Sequence, residues 1–329
     1  MQADIVAGGE FDLIRRHFTR PSPAGMLGVG DDCALLPDTG CATAVSTDLL
    51  IEGRHFFADV DPRALGHKAL AVNLSDLAAM GARPTAFVLG LALPRIDDAW
   101  LSAFAQGMFA LADAHGCPLV GGDTTRSLAG VTISVTVFGA VPADGALRRA
   151  GARPGDDIWV SGPLGDADLA LRLLSGDSAV PVDDRAAALA ATRRALEWPA
   201  PRVALGLALR GLAHAAIDIS DGLLQDLGHI LAASGCGARV CADEVPVSAA
   251  VSALPPAWRR QCALAGGDVY ELCFTAPPEA RTRVAEAASD TGAAVTRIGT
   301  IEAASGLRVV DGAGAPLPGL PHAGFDHFA

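Results

Sequence analysis

The strongest constraint on the fold is an alternation of strand-like and helix-like segments that runs through both halves of the chain. It is interrupted at the turn-rich, charged PADGALRRAGARPGDD (142–157). In the first half, ATAVSTDLLIE (42–52), TAFVLGLALP (85–94) and the β-branched VTISVTVFGAV (131–141) read as strands. PLVGGD (118–123) reads as a short strand running into a glycine turn. A helix is expected over 62–80, stopped by Gly81 and Pro84, and another over 96–116 with Asp97 or Asp98 as its cap. In the second half, DDIWVSG (156–162), AAIDIS (215–220), YELCFTA, VTRIGTIE and LRVVD read as strands, and GDADLALRLLSG begins a helix. SDGLLQDLGHILAASG is a helix with Ser220 expected as N-cap. Strands and helices mixed in both halves predict an α/β (α+β) class. Domains are expected over 1–147 and 148–329.

Composition narrows the function. At 329 residues and 50% hydrophobic content, the chain can bury two substantial cores. A formal net charge of −12 argues against nucleic acid as a main partner, and would repel a small anion unless cations screen the site. The first residues lack a signal-peptide layout, and no apolar run approaches a membrane span. The seven cysteines contain no CxxC pair and read as reduced, mostly buried thiols of a cytoplasmic protein. Lys68, the only lysine, sits in LGHKAL, which does not fit a Walker A loop.

What remains is a set of acids at the ends and edges of apolar segments. Asp31 and Asp32 follow the glycine turn GVG, Asp48 ends the STD of a strand, and Asp123 follows two glycines. Asp218 and Asp221 bracket Ser220 in IDISDG. Asp76 follows Leu65, Ala69 and Val72, and precedes Met80, at steps of three or four. It therefore lies on an apolar stripe, or at that stripe's solvated edge. Open α/β folds place ligand groups at such strand ends, although Asp also favours turns and caps on its own account. Carboxylates repel phosphate but hold Mg²⁺, which in turn holds phosphate. Ser220 and nearby backbone N–H groups suit an anion, and Gly122 with Asp123 offers further backbone contacts. Arg148 and Arg149 are either phosphate clamps or a solvated basic turn.

The motifs GVGDDCALL, STDLLIEGRHF, ALAVNLSDLAAMGA, LVGGDTTR, AIDISDGLLQDLGHI and GFDHF, in this order, resemble the thiamine-monophosphate kinase family. That family belongs to the superfamily of aminoimidazole ribonucleotide and selenophosphate synthetases. The likeness runs from about Gly9 to the C-terminus. It implies two domains, the first forming a β-barrel across a homodimer. It also implies ATP-dependent phosphorylation of thiamine monophosphate with several Mg²⁺ ions, without a membrane or nucleic-acid partner. By the same resemblance, Asp32, Ser46, Thr47, Asp48, Asp76, Asp123, Asp218 and Asp221 are metal ligands. Gly122, Asp123, Arg149 and Ser220 contact ATP, and His55, Asp268 and Phe325 contact the acceptor. No catalytic base is assigned. Phe325 suits a cationic aromatic ring by stacking and cation–π contact, or anchors the terminus with Phe328.

One stretch departs from the pattern. The family usually reads GGEDYE where this chain reads GGDVYE, from Gly266 to Glu271. Asp268 replaces a Glu and Val269 an Asp, and Asp268 is also an ordinary turn acid after two glycines. The rival readings are another synthetase-like reaction of the superfamily and a non-catalytic nucleotide-binding protein of the same fold. A reactive cysteine near the N-terminus with a lysine beside it would favour selenophosphate synthesis. The first cysteine here is Cys33, and no lysine lies near it.

Overall fold

The computed structural model describes residues 10–21, 23, 36, 40–142 and 144–317. The chain divides into two compact units. The first holds residues up to Asn73 and Pro84–Ala140, the second Leu74–Arg83 and the chain from Val141 onward.

The first unit carries α1 (Glu10–His17), β1 (Ala42–Ile51), α2 (Pro62–Ala79), β2 (Arg83–Leu93), α3 (Asp98–His115), β3 (Leu119–Arg126) and β4 (Thr132–Val141). α2 is divided between the units after Asn73, and β2 after Arg83. The four strands form one sheet in the order β1-β4-β2-β3, so β1 and β3 are its edges. Strict alternation buries Ile133, Val135 and Val137 of β4 and leaves the side chains between them half-buried. On β1 the alternating Val45, Leu49 and Ile51 are exposed. α3 begins where Asp97 accepts the N–H groups of Ala99 and Trp100, 3.1 Å each, and ends at the left-handed Gly116. Asp97 is thus the cap.

Two expectations change here. The stripe on α2 dissolves, because the helix is buried on every side from Lys68 to Ser75. Asp76 itself is half-buried. The strand at 118–123 does not end in a glycine turn: β3 runs through both glycines to Arg126, paired in parallel with β2. A side chain at Gly122 would meet the Leu89 carbonyl oxygen at 1.9 Å, so glycine there serves strand-to-strand approach.

The second unit follows with β5 (Asp157–Ser161), α4 (Asp166–Leu174), α5 (Arg185–Glu197), α6 (Val203–Ala208), β6 (Ala215–Asp218), α7 (Leu223–Ser234) and β7 (Gly237–Cys241). It is completed by α8 (Ala249–Ser252), α9 (Pro256–Ala265), β8 (Leu272–Ala276), α10 (Arg281–Thr291), β9 (Val295–Glu302) and β10 (Gly306–Val310). Its six-stranded sheet runs β10-β7-β9-β5-β8-β6, parallel at β10–β7 and antiparallel elsewhere. Ile158, Val160, Ile217, Leu227, Val240 and Ile298 form part of one core cluster. Each such aliphatic side chain contributes about 2 kcal/mol on burial. Among the described cysteines, Cys117, Cys236, Cys262 and Cys273 are buried free thiols. No helix among the described residues is long and apolar enough to cross a membrane.

Candidate functional site

In the first unit, the STD segment lies on edge strand β1. Period-two alternation sets Ser46 and Asp48 on one face and Thr47 on the other. The Thr47 hydroxyl pairs with that of Thr136 on β4 at 2.6 Å. The Thr47 hydroxyl and the Asp48 carboxylate therefore cannot serve one ion together. The Asp48 N–H donates to Asn73 Oδ1 at 3.0 Å, which ties β1 to α2. Asp123 lies on β3, at the opposite edge of the sheet. Three strand spacings separate those edges, roughly 14 Å across a flat sheet, too far for the two carboxylates of one chain to share an ion. His55 follows β1 in a turn, where its Nδ1 accepts the Ile51 N–H at 3.0 Å. In a neutral ring that places the hydrogen on Nε2.

In the second unit, Asp218 is the last residue of β6 and is 6% exposed. The Ser75 hydroxyl donates to its Oδ2 at 2.8 Å. Asp76 is the next residue after Ser75, so this bond joins the segments that carry Asp76 and Asp218. Asp221 and Ser220 are half-buried in the turn that follows. Exposed Arg148 and Arg149 lie in a turn tied to the same elements. Ala216 N–H donates to the Arg148 carbonyl at 2.9 Å, and Ser234 hydroxyl to the Arg149 carbonyl at 3.2 Å.

The N-terminus of α7 differs from expectation. The helix begins at Leu223 with Gly222 as N-cap, and Ser220 does not cap it. The N–H groups of Ser220, Asp221 and Gly222 all donate to one oxygen of Asp226, Oδ2, at 3.1 Å each. These amides hold an internal carboxylate and are not open to phosphate. Burial and the Asp221 charge push the Asp226 pKa up to about 7, against the pull of the three N–H groups. The signal for Asp226 was present: it is an acid among Leu223, Leu227 and Ile230 on the buried side of α7.

The GGDVYE stretch bridges α9 and β8. Ile219 N–H donates to the Glu271 carbonyl, Tyr270 N–H to the Ile219 carbonyl and Asp268 N–H to the Ser220 carbonyl, all at 2.8 Å. A Cβ on Gly267 would sit 2.6 Å from the Ser220 carbonyl oxygen, which explains the glycine. Asp268 and Tyr270, at φ 60° and 56°, are the non-glycine residues with positive φ among the described residues. Such a backbone costs on the order of 1 kcal/mol per residue. Glu271 is buried, bound by Arg202 Nε at 2.6 Å, by Arg202 Nη2, and by the Ser161 hydroxyl. Burial raises its carboxyl above the ordinary range against the pull of Arg202 and Ser161.

The donors suited to a metal are all oxygens, the set that Mg²⁺ prefers. Among the described residues, no three His, Cys, Asp or Glu side chains come together to hold one ion. Mg²⁺ fills much of its shell with waters and substrate phosphates and takes few protein ligands. Asp32 and Phe325, like Asp31, Cys33 and Phe328, lie outside the described residues.

Residues 30–141 match the AIR synthase related protein N-terminal domain, and 153–312 match its C-terminal domain. Thiamine-monophosphate kinases of Salmonella typhimurium and Escherichia coli K12 are each 45% identical over 330 residues, 98% of this chain and 99% of the relative. The crystal structure of the thiamine-monophosphate kinase from Stenotrophomonas maltophilia is 48% identical. Its TM-score is 0.80, covering 88% of this chain and 92% of that one. AaThiL complexed with AMPPCP and TMP is 29% identical with a TM-score of 0.74, covering 97% of both chains. With oxygen donors on β1, α2, β3 and β6 and full-length likeness of this extent, the chain belongs to the thiamine-monophosphate kinase family.

Proposed function

We propose that this chain transfers the γ-phosphoryl group of ATP to thiamine monophosphate, giving thiamine diphosphate by direct in-line displacement. The reading rests on the 45% identity that spans 98% of the chain. The acceptor is a phosphate monoester whose second pKa is near 6, so it is largely ionised at neutral pH and needs no general base. This accounts for a site built of acids without a nucleophile–base pair. The obstacle is the approach of two anions, which several bound Mg²⁺ ions screen when present.

The chain's own residues bind and orient. Asp48, Ser46 and Asp123 of the first unit, with Asp76, Asp218 and Asp221 of the second, serve as metal ligands along with Asp32. Thr47 takes part through its main-chain oxygen, because its hydroxyl lies on the other face. Gly122, Arg149 and the Ser220 hydroxyl contact the nucleotide. His55 offers an Nε2–H donor to the acceptor, and Asp268 and Phe325 are assigned to its cationic ring system by the family resemblance. The open face of β1, with Val45, Leu49 and Ile51, suits the homodimer that the family resemblance implies. Buried thiols suit a reducing, cytoplasmic setting.

The test is ADP release coupled to a reporter, with ATP present and thiamine monophosphate and Mg²⁺ each added or withheld. ADP release that requires both additions supports the reading. Release that ignores thiamine monophosphate, or none at all in folded protein, overturns it.

A further inference from the structure

The loop between α9 and β8 is held more firmly than a turn needs to be. Asp268 and Tyr270 both adopt the left-handed backbone that non-glycine residues avoid. Such a conformation persists only where the surroundings over-determine it, and it concentrates at ligand sites. The surroundings here do so from three sides. The Asp268 and Tyr270 N–H groups bond to the Ser220 and Ile219 carbonyls. The side chain of Val269, between them, packs against the core of the second unit. Glu271, immediately after, is clamped by Arg202 and Ser161. Within this frame the Tyr270 hydroxyl donates to Asp268 Oδ1 at 3.1 Å.

We propose that Tyr270 is a positioning residue for the acceptor: its hydroxyl sets the plane of the Asp268 carboxylate, which receives the cationic ring system of thiamine monophosphate. The chemistry of the brace supports this. A guanidinium in the same place would orient the carboxylate but neutralise it. A phenol is uncharged at neutral pH, so it orients the acid and leaves its negative charge to meet a cation. Val269 completes the arrangement, since an apolar side chain can anchor in the core where a second acid would demand solvent or a counter-charge. The proposal rests on the reading of Asp268 as an acceptor contact.

Tyr270 is the only tyrosine of the chain. Protein labelled with ¹³C at tyrosine Cζ therefore gives one tyrosine resonance, assigned without mutation. Thiamine monophosphate added to the full chain with Mg²⁺ should shift that resonance, and inorganic phosphate should not. In steady-state assays Tyr270→Phe should raise KM for thiamine monophosphate about fivefold, with KM for ATP changed less than twofold. Asp268→Asn should raise the same KM at least as much, and the double variant should add little to it. A resonance that stays still on saturation with thiamine monophosphate overturns the proposal. So does a Tyr270→Phe variant that raises both KM values together, the mark of a loop staple. If Asp268→Asn raises the acceptor KM and Tyr270→Phe does not, the brace falls and the Asp268 contact stands. If neither does, both fall.

Discussion

The two sheets handle the same kind of sequence differently. In the second unit, β8 is buried at every residue and β6 at every residue up to Asp218. Its interior acids are each met by a dedicated partner: Glu271 by Arg202, Asp157 by Arg281, and Asp226 by three backbone N–H groups. In the first unit, edge strand β1 turns Val45, Leu49 and Ile51 outward. Its acids Asp48 and Asp123 stand on opposite edges. One sheet is completed by its own chain, while the other leaves an apolar face of the kind that marks association. The lesson is a division of labour: the second unit shapes rigid loops, and the first offers edges and a face.

The largest effect should come from removing an acid on either side of that division. Asp48→Asn in the first unit and Asp218→Asn in the second should each lower kcat by on the order of 100-fold or more, because each removes a ligand proposed for the Mg²⁺ ions. Full turnover in one of them, with circular dichroism unchanged, would mean that only the other unit carries the chemistry. Next comes stability. Glu271→Ala leaves the half-buried Arg202 guanidinium without its carboxylate and should cost about 2–3 kcal/mol in urea unfolding. Glu52→Ala in the first unit removes only a carboxylate bond to the Val131 N–H and should cost about 1 kcal/mol. Equal losses would erase the contrast in rigidity. In the proposed homodimer, Leu49→Asp should weaken self-association at least about tenfold, or about 1.4 kcal/mol, seen by sedimentation; unchanged association would show that the open face is not the one used.

The smallest effect is a pH dependence in the second unit. Burial raises the Asp157 carboxyl, but Arg281, bonded at 2.6 and 2.8 Å, and Arg297 outweigh it and hold the pKa below the ordinary 3.8. A depressed folded pKa stabilises above the unfolded value, and that stability is lost as pH falls through the folded one. Urea midpoints of the parent and Asp157→Asn should separate above the ordinary carboxylate range and converge as pH falls below it. A gap that persists at the acid end would assign the effect to packing.

Much of the fold was legible because its signals are local. The strands at 42–52 and 131–141 and the capped helix from Asp97 follow from alternation and from one side chain's reach to nearby N–H groups. The stripe on α2 misled, because a helix buried on all sides has no polar face to set a phase. The glycines of β3 read as a turn because glycine's other use, close approach to a neighbouring strand, depends on Leu89, more than thirty residues away. Ser220 looked like a cap until Asp226, six residues on, took the amides.

By itself, the order of residues determined the α/β class, the shortage of lysine, and which acids fall on or beside apolar segments, since composition, period and motif are written along one dimension. Tertiary structure alone decided that Thr47 pairs with Thr136, that Asp226 occupies the head of α7, and that Tyr270 holds Asp268. Those outcomes depend on which groups meet across a fold, where a side chain's partner is set by distance in space and by the loss of water around it.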